Sequence, residues 1–91
     1  MGPYYTASKA AQIGLARSLA GPLAPHGVAV NAVAPALVQT EALPGGAELA
    51  EKLPVGRLGA PEEVAEAVYG LVANPFITAQ TISVDGGMHP R

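Results

Sequence analysis

The chain of 91 residues carries a formal net charge of −2, with 49% of its residues hydrophobic and 13% charged. A chain of this length forms one small domain at most and buries roughly 60–65% of its unfolded surface, so this apolar share is typical of part of a larger core. The five basic residues are scattered along the chain, which argues against nucleic-acid binding. The lack of cysteine excludes a disulfide framework. The lack of a long apolar run and of a signal-peptide pattern favours a cytoplasmic protein without membrane contact.

The first predicted element is a helix from about Tyr4 to Leu23. Pro22 removes one backbone hydrogen bond and predicts a kink or helix end near Gly21-Pro22, with Pro25 and Gly27 closing the segment. The helix carries a stripe of small residues, which favours either close packing on the protein's own sheet or a helix–helix contact between subunits. The stripe consists of Ala7, Ala11, Gly14, Ser18 and Gly21.

Two side chains on this helix form a candidate catalytic pair. Tyr5 and Lys9 are four residues apart, so a helix places them on one face. A free tyrosine side chain, with an ordinary pKa of about 10, exchanges protons poorly at neutral pH. A cation within roughly 4–6 Å favours the phenolate, which would allow Tyr5 to act as a general acid/base on a carbonyl or alcohol. The spacing alone is also typical of many solvated helices.

A short apolar strand is predicted next, from Val28 to Ala34. Its nearly continuous hydrophobic pattern is that of a strand buried on both faces of a parallel sheet, and Pro35 ends it. In open α/β sheets, ligands bind beyond the carboxyl ends of the strands. The loop from Pro35 to Thr40 is therefore the predicted place for a cofactor.

The remaining elements follow from helix and turn signals. Pro61 with two acidic residues after it predicts a helix start, and Asn74-Pro75 predicts its end. We expect Arg57 to tie its loop to neighbouring residues rather than to bind an anion. His26 and His89 have no partner at metal-ligand spacing, and no metal site is predicted. The other expected elements are a loop over Glu41–Gly46, a short helix around Glu48–Lys52, an apolar helix face of Val64, Val68, Leu71 and Val72, a strand over Thr81–Val84 and a turn at Asp85-Gly86-Gly87.

Five motifs, in this order along the chain, resemble the carboxy-terminal part of the short-chain dehydrogenase/reductase family, and within it the 3-oxoacyl-acyl-carrier-protein reductases. The resemblance implies an α/β fold, the C-terminal portion of a Rossmann-type doubly wound parallel sheet. It also implies that residues 1–91 are a C-terminal fragment that lacks the N-terminal dinucleotide-binding half. The motifs are Tyr5-x-x-x-Lys9, Asn31-Ala32-Val33-Ala34-Pro35, Thr40, the stretch from Gly56 to Val64, and Ser83-Val84-Asp85-Gly86-Gly87.

The resemblance implies an oxidoreductase that reduces a small carbonyl compound or oxidises an alcohol with NADP or NAD. Tyr5 would donate or accept the proton, and Lys9 would favour the phenolate and hold the nicotinamide ribose. It further implies a homo-oligomer. Many relatives have glycine where Ala36 stands, which makes close backbone approach there less certain. The implied cofactor-binding positions are Tyr5, Lys9, Pro35, Ala36, Val38 and Thr40.

The chain lacks a Gly-rich turn opening a helix, the unit that holds a dinucleotide's pyrophosphate. The family's catalytic serine and asparagine also lie upstream of the tyrosine. We therefore expect the isolated chain to bind no cofactor and to be inactive. Two alternatives stay open. One is a non-catalytic oligomerisation or interaction module derived from a reductase. The other is a dehalogenase-like relative that works without nicotinamide, but such proteins carry arginine at the position of Lys9, which argues against it.

Overall fold

A computed structural model describes residues 2–39 and 45–89 of the chain. Helices and strands alternate along much of it, and the predicted α/β class is confirmed. Among the described residues, no helix is long and apolar enough to cross a membrane. The elements are α1 (Pro3–Leu23), a 3-10 turn (Ala24–His26), β1 (Ala32–Pro35), α2 (Gly46–Ala50), α3 (Pro61–Ala73) and β2 (Thr81–Val84).

Helix α1 matches the prediction closely at both ends. It begins at Pro3, where the missing N–H would have had no partner within the helix. The helix continues through Pro22 to Leu23, so the predicted helix end near Gly21-Pro22 lies one residue early, and the alternative of a kink there stays a prediction. After the 3-10 turn, Gly27 takes a left-handed conformation with φ 76° and closes the segment as predicted.

The two strands pair with each other in a two-stranded sheet. The Ala32 N–H donates to the Gln80 carbonyl at 2.9 Å, and the Ala36 N–H donates to the Val84 carbonyl at 3.3 Å. Because both partners advance in the same direction, the strands are parallel. The predicted bounds of β2 are confirmed.

The predicted strand Val28–Ala34 is wrong at its start, since β1 begins only at Ala32. Val28 is 44% exposed, so the expected burial on both faces does not apply there. Side-chain bonds partly replace a regular ladder in this region: the Val30 N–H donates to Thr78 Oγ1 at 3.0 Å. Asn31 donates from Nδ2 to the Ile77 carbonyl at 3.1 Å and accepts from the Gln80 N–H at 3.0 Å.

The contacts divide the chain into two compact units. The first comprises Met1–Ala32 and Leu71–Thr81, and the second Val33–Gly70 and Ile82–Arg91. Among the described residues, the first unit buries the Ala20 side chain to 1% exposure and the second buries Leu53 to 4%. Much apolar surface therefore stays exposed in each unit.

Helix α3 has the predicted bounds, but its apolar face is only partly covered. Val64 and Leu71 are half-buried, whereas Val68 is 43% and Val72 76% exposed. The expected apolar face thus includes two valines that stay largely exposed among the described residues. The expected short helix around Glu48–Lys52 lies slightly earlier, as α2.

Candidate active site

The candidate pair Tyr5 and Lys9 lies on α1 in the first unit. Lys9 Nζ is over the Tyr5 ring, 5.4 Å from its centroid, within the range of a cation–π interaction. Tyr5 is 48% exposed, so a ligand can reach its phenol. The predicted helix and the predicted meeting of the two side chains on one face are confirmed, while their chemical roles stay predictions.

The predicted cofactor loop begins at Pro35, the last residue of β1, and residues 36–39 follow the strand in the second unit. Leu37 has φ 42°, a left-handed conformation that is uncommon for a residue with a side chain. Backbone bonds lie on both sides of this residue, because the Ala36 N–H donates to the Val84 carbonyl at 3.3 Å and the Leu37 carbonyl accepts from the Gly59 N–H at 3.2 Å. Thr40, the last predicted position of the loop, lies outside the described residues.

Gly59 binds this loop through both of its backbone groups. Besides donating to Leu37, it accepts the Gln39 N–H at 2.7 Å, and Val38 pairs with it in a parallel β-bridge. The loop from Leu37 to Gln39 is therefore held by a segment about twenty residues further along the chain.

An ion pair stands beside Gly59. Arg57 Nη1 and Nη2 donate to Glu63 Oε1 and Oε2 at 2.7 and 2.9 Å, a two-point contact. Glu63 Oε1 also accepts the Ala60 N–H at 2.9 Å, as an acidic residue in a capping box does. The hydrogen bond from Arg57, followed by that from Ala60, lowers the pKa of Glu63 to about 2. The prediction that Arg57 ties its loop to neighbouring residues is confirmed by these contacts.

A cavity of about 80 Å³ lies within the second unit. Ligand sites commonly measure about 300–1,000 Å³, so this space is a gap in packing rather than a place for a dinucleotide. Its lining joins the loop to the ion pair and to the turn after β2, and includes Ala36, Val38, Arg57, Glu63 and Asp85.

The structure brings Tyr5 and Lys9 together in one unit, and holds Ala36 and Val38 in the loop of the other, next to the exposed Pro35. Sequence reasoning missed the part that Gly59 plays in holding that loop. A glycine before a helix start signals a turn, but nothing in the local sequence shows which segment its backbone will bind.

Residues 1–89 match the family described as enoyl-(acyl carrier protein) reductase. Carbonyl reductase family member 4 of Danio rerio is 46% identical over 86 residues, which cover 92% of this chain and 36% of that protein. The 3-oxoacyl-(acyl-carrier-protein) reductase FabG of Aggregatibacter actinomycetemcomitans is 44% identical over 89 residues, 92% of this chain and 37% of the relative. The solved structure of ElxO with NADP bound has a TM-score of 0.85 and 34% identity, over 92% of this chain and 38% of that one.

The chain has two parallel strands with helices between them in the sequence and a loop at the carboxyl end of β1, and the likeness to ElxO shows that this α/β arrangement is of the Rossmann type. The family match covers residues 1–89, which is nearly the whole chain, so the chain belongs to the short-chain dehydrogenase/reductase family. The predicted family is confirmed. The chain spans little more than a third of the length of these relatives, with 36–38% covered.

Proposed function

We propose that this chain is the C-terminal part of an NAD(P)-dependent oxidoreductase that interconverts a small carbonyl compound and its alcohol. The observation that carries the proposal is the Lys9 ammonium over the ring of the exposed Tyr5, in a chain of this family. Relatives named as a carbonyl reductase and a 3-oxoacyl-(acyl-carrier-protein) reductase support the reaction class. The structure of ElxO with NADP bound supports the cofactor class.

In this proposal Tyr5 donates a proton to the carbonyl oxygen during reduction and accepts it back during alcohol oxidation. Lys9 stabilises the phenolate between these steps and binds the ribose of the cofactor. Its ammonium has three donors and, among the residues that the structure describes, makes no ion pair, which fits a role toward ligand hydroxyls. When bound, NAD(P)H supplies the hydride.

The loop after β1 would contact the nicotinamide through Pro35, Ala36, Val38 and Thr40. Leu37 is left-handed, and backbone hydrogen bonds from Ala36 to Val84 and from Gly59 to Leu37 lie on either side of it. These bonds favour one conformation of Pro35, Ala36 and Val38, and so a prearranged binding surface. The full-length polypeptide would supply the pyrophosphate site, so the isolated chain is expected to be inactive.

The test replaces Tyr5 by Phe in the full-length polypeptide that carries this chain. We expect the rate of carbonyl reduction to fall about 10²- to 10⁴-fold, because the general acid is removed. NADPH affinity, measured by fluorescence titration, should change little, since the ring and Lys9 remain. Tyr4→Phe is the matched control, as Tyr4 is the adjacent tyrosine and is 91% exposed. Full activity in Tyr5→Phe would contradict the proposal.

A second candidate function is a non-catalytic oligomerisation module. It is favoured by exposed leucines on α1, with Leu15 at 60% and Leu19 at 40% exposure. NADPH titration of the full-length polypeptide discriminates the two, because an enzyme must bind the cofactor and a module need not. A homo-oligomer is compatible with both.

A further inference from the structure

Arg57 and Glu63 fix a short backbone segment from both of its ends. Arg57 Nη1 donates to the Leu58 carbonyl at 3.2 Å as well as to the Glu63 carboxylate. Glu63 in turn accepts the Ala60 N–H at 2.9 Å. We call these two side chains and the backbone of residues 57–60 the Arg57 clamp. Gly59 lies within the clamp but makes none of these side-chain bonds itself.

Gly59 instead contacts the loop after β1. Its N–H and carbonyl bind Leu37 and Gln39 at 3.2 and 2.7 Å, one on each side of Val38. A Cβ at residue 59 would lie 3.9 Å from Val38 Cγ2, an ordinary van der Waals contact, so the backbone bonds themselves join the two segments. The conformation of the loop therefore depends on where the clamp holds Gly59.

The backbone conformation of Leu37 also depends on Gly59. Its φ of 42° is unfavourable for a residue with a side chain, and such a conformation persists only where neighbouring contacts determine it. The Gly59 N–H bond to the Leu37 carbonyl is one such contact. If residues 57–60 relaxed, Leu37 could return to a negative φ, and Ala36 and Val38 would turn with it.

We infer that Arg57 and Glu63 are positioning residues for the cofactor loop. The inference rests on the proposed function, since it assigns the two residues an effect on cofactor binding that they exert through Gly59 and Leu37. Neither residue needs to contact the cofactor. Breaking the pair should weaken cofactor affinity and leave the turnover rate at saturating cofactor nearly unchanged, because Tyr5 and Lys9 are not altered.

The first experiment measures amide hydrogen exchange in the full-length polypeptide without cofactor. In Glu63→Gln the Gln39 and Gly59 amides should exchange roughly 3- to 30-fold faster, the range expected when one segment holds another. Glu62→Gln is the matched control: it makes the same charge change in the same helical turn, on an exposed side chain. Exchange at Gln39 and Gly59 that is unchanged in Glu63→Gln would overturn the inference.

The second experiment titrates NADPH into the same variants and measures carbonyl reduction. Glu63→Gln and Arg57→Gln should raise the Kd by roughly 3- to 30-fold, with kcat at saturating NADPH nearly that of the wild type. Arg57→Lys keeps the charge but not the two-point contact, so its Kd for NADPH should lie between those of the wild type and Arg57→Gln. Circular dichroism confirms folding, and Arg57→Lys provides a folded variant if the others unfold.

The outcomes separate the two proposals. Faster exchange with unchanged NADPH affinity would overturn the positioning role, and so would a fall in kcat with unchanged affinity. A wild-type protein that binds no NADPH would instead overturn the proposed function, whatever the exchange experiment showed. Faster exchange together with a weaker Kd supports the inference.

Discussion

At the scale of single residues, the pairing of Lys9 with the Tyr5 ring needs nothing beyond α1 itself. The two residues are one turn apart, so the helix brings the ammonium within 5.4 Å of the ring centroid. At an exposed site such a contact contributes about 0.5–1 kcal/mol. The pair is therefore a local feature, and its proposed chemistry depends on what else reaches the phenol.

Gly86 is the residue at which added volume should cost most. It has φ 60°, and a Cβ there would lie 2.7 Å from Val55 Cγ2. We expect Gly86→Ala to lower the free energy of unfolding by about 1–3 kcal/mol more than Gly56→Ala, measured by urea denaturation. Gly56 is the matched control, because its φ is 77° but a Cβ there would meet nothing within 4 Å.

The double variant Gly86→Ala/Val55→Ala checks the cause of this loss. Removing the valine methyls relieves the collision and should recover part of the stability, while the cost of a left-handed alanine remains. Equal destabilisation by Gly86→Ala and Gly56→Ala would show that the close approach to Val55 has no effect.

At the scale of elements, the start of α3 is stabilised by Glu63. Its carboxylate accepts the Ala60 N–H and binds Arg57, and both interactions are stronger with the ionised form. Exposed ion pairs usually contribute little, but this one has two-point geometry and also satisfies a backbone donor at the helix start. The protonation of Glu63 therefore controls how well α3 is capped.

This predicts a pH dependence of stability. The pKa of Glu63 falls from 4.5 to about 2 on folding, so its contribution is complete above about 4.5 and is lost as pH falls toward 2. Urea denaturation over this range should show the wild type losing its advantage over Glu63→Gln as the pH falls. Glu62→Gln should show no such convergence. A wild-type advantage that stays constant over this range would rule the linkage out.

The strand β1 shows how tertiary contacts shorten an element. The apolar pattern from Val28 to Ala34 is that of a buried strand, yet only Ala32–Pro35 pairs regularly. Asn31, the polar residue in the run, uses both ends of its amide on the backbone of residues 77–80. Its side chain thus forms bonds that a ladder would otherwise make.

At the scale of the whole molecule, large apolar side chains remain exposed in both units. They include Tyr4 at 91% and Phe76 at 98% exposure in the first unit, and Tyr69 at 73% in the second. Where such side chains form a contiguous patch, that patch commonly marks an interaction site. We therefore expect the chain to self-associate.

The test of self-association is analytical ultracentrifugation of the chain over a range of concentrations. Leu15→Asp should weaken association roughly tenfold or more, because a charge would have to be buried on the exposed face of α1. Val55→Asp makes the same change at a residue of similar exposure in the second unit, 57% against 60% for Leu15, and shows whether the loss is specific to α1. A monomer at every concentration would exclude the prediction.

By itself, the sequence determined the features that depend on neighbours a few residues away. These are α1 with its Tyr5–Lys9 pair, the start of α3 at Pro61, the strand β2 and the glycine turn after it, because helix periodicity, proline geometry and glycine's left-handed freedom act locally. The family too was recognisable from motifs in order along the chain.

Only the tertiary structure decided the features that join distant segments. Gly59 binds a loop about twenty residues earlier, and Leu37 takes a positive φ that a leucine does not signal. The Asn31 side chain binds the backbone of Ile77 and Gln80, which lie 46 and 49 positions further along the chain. Each depends on which backbone groups meet after folding. No local propensity carries that information, since a donor's partner is chosen by the packing of the whole unit.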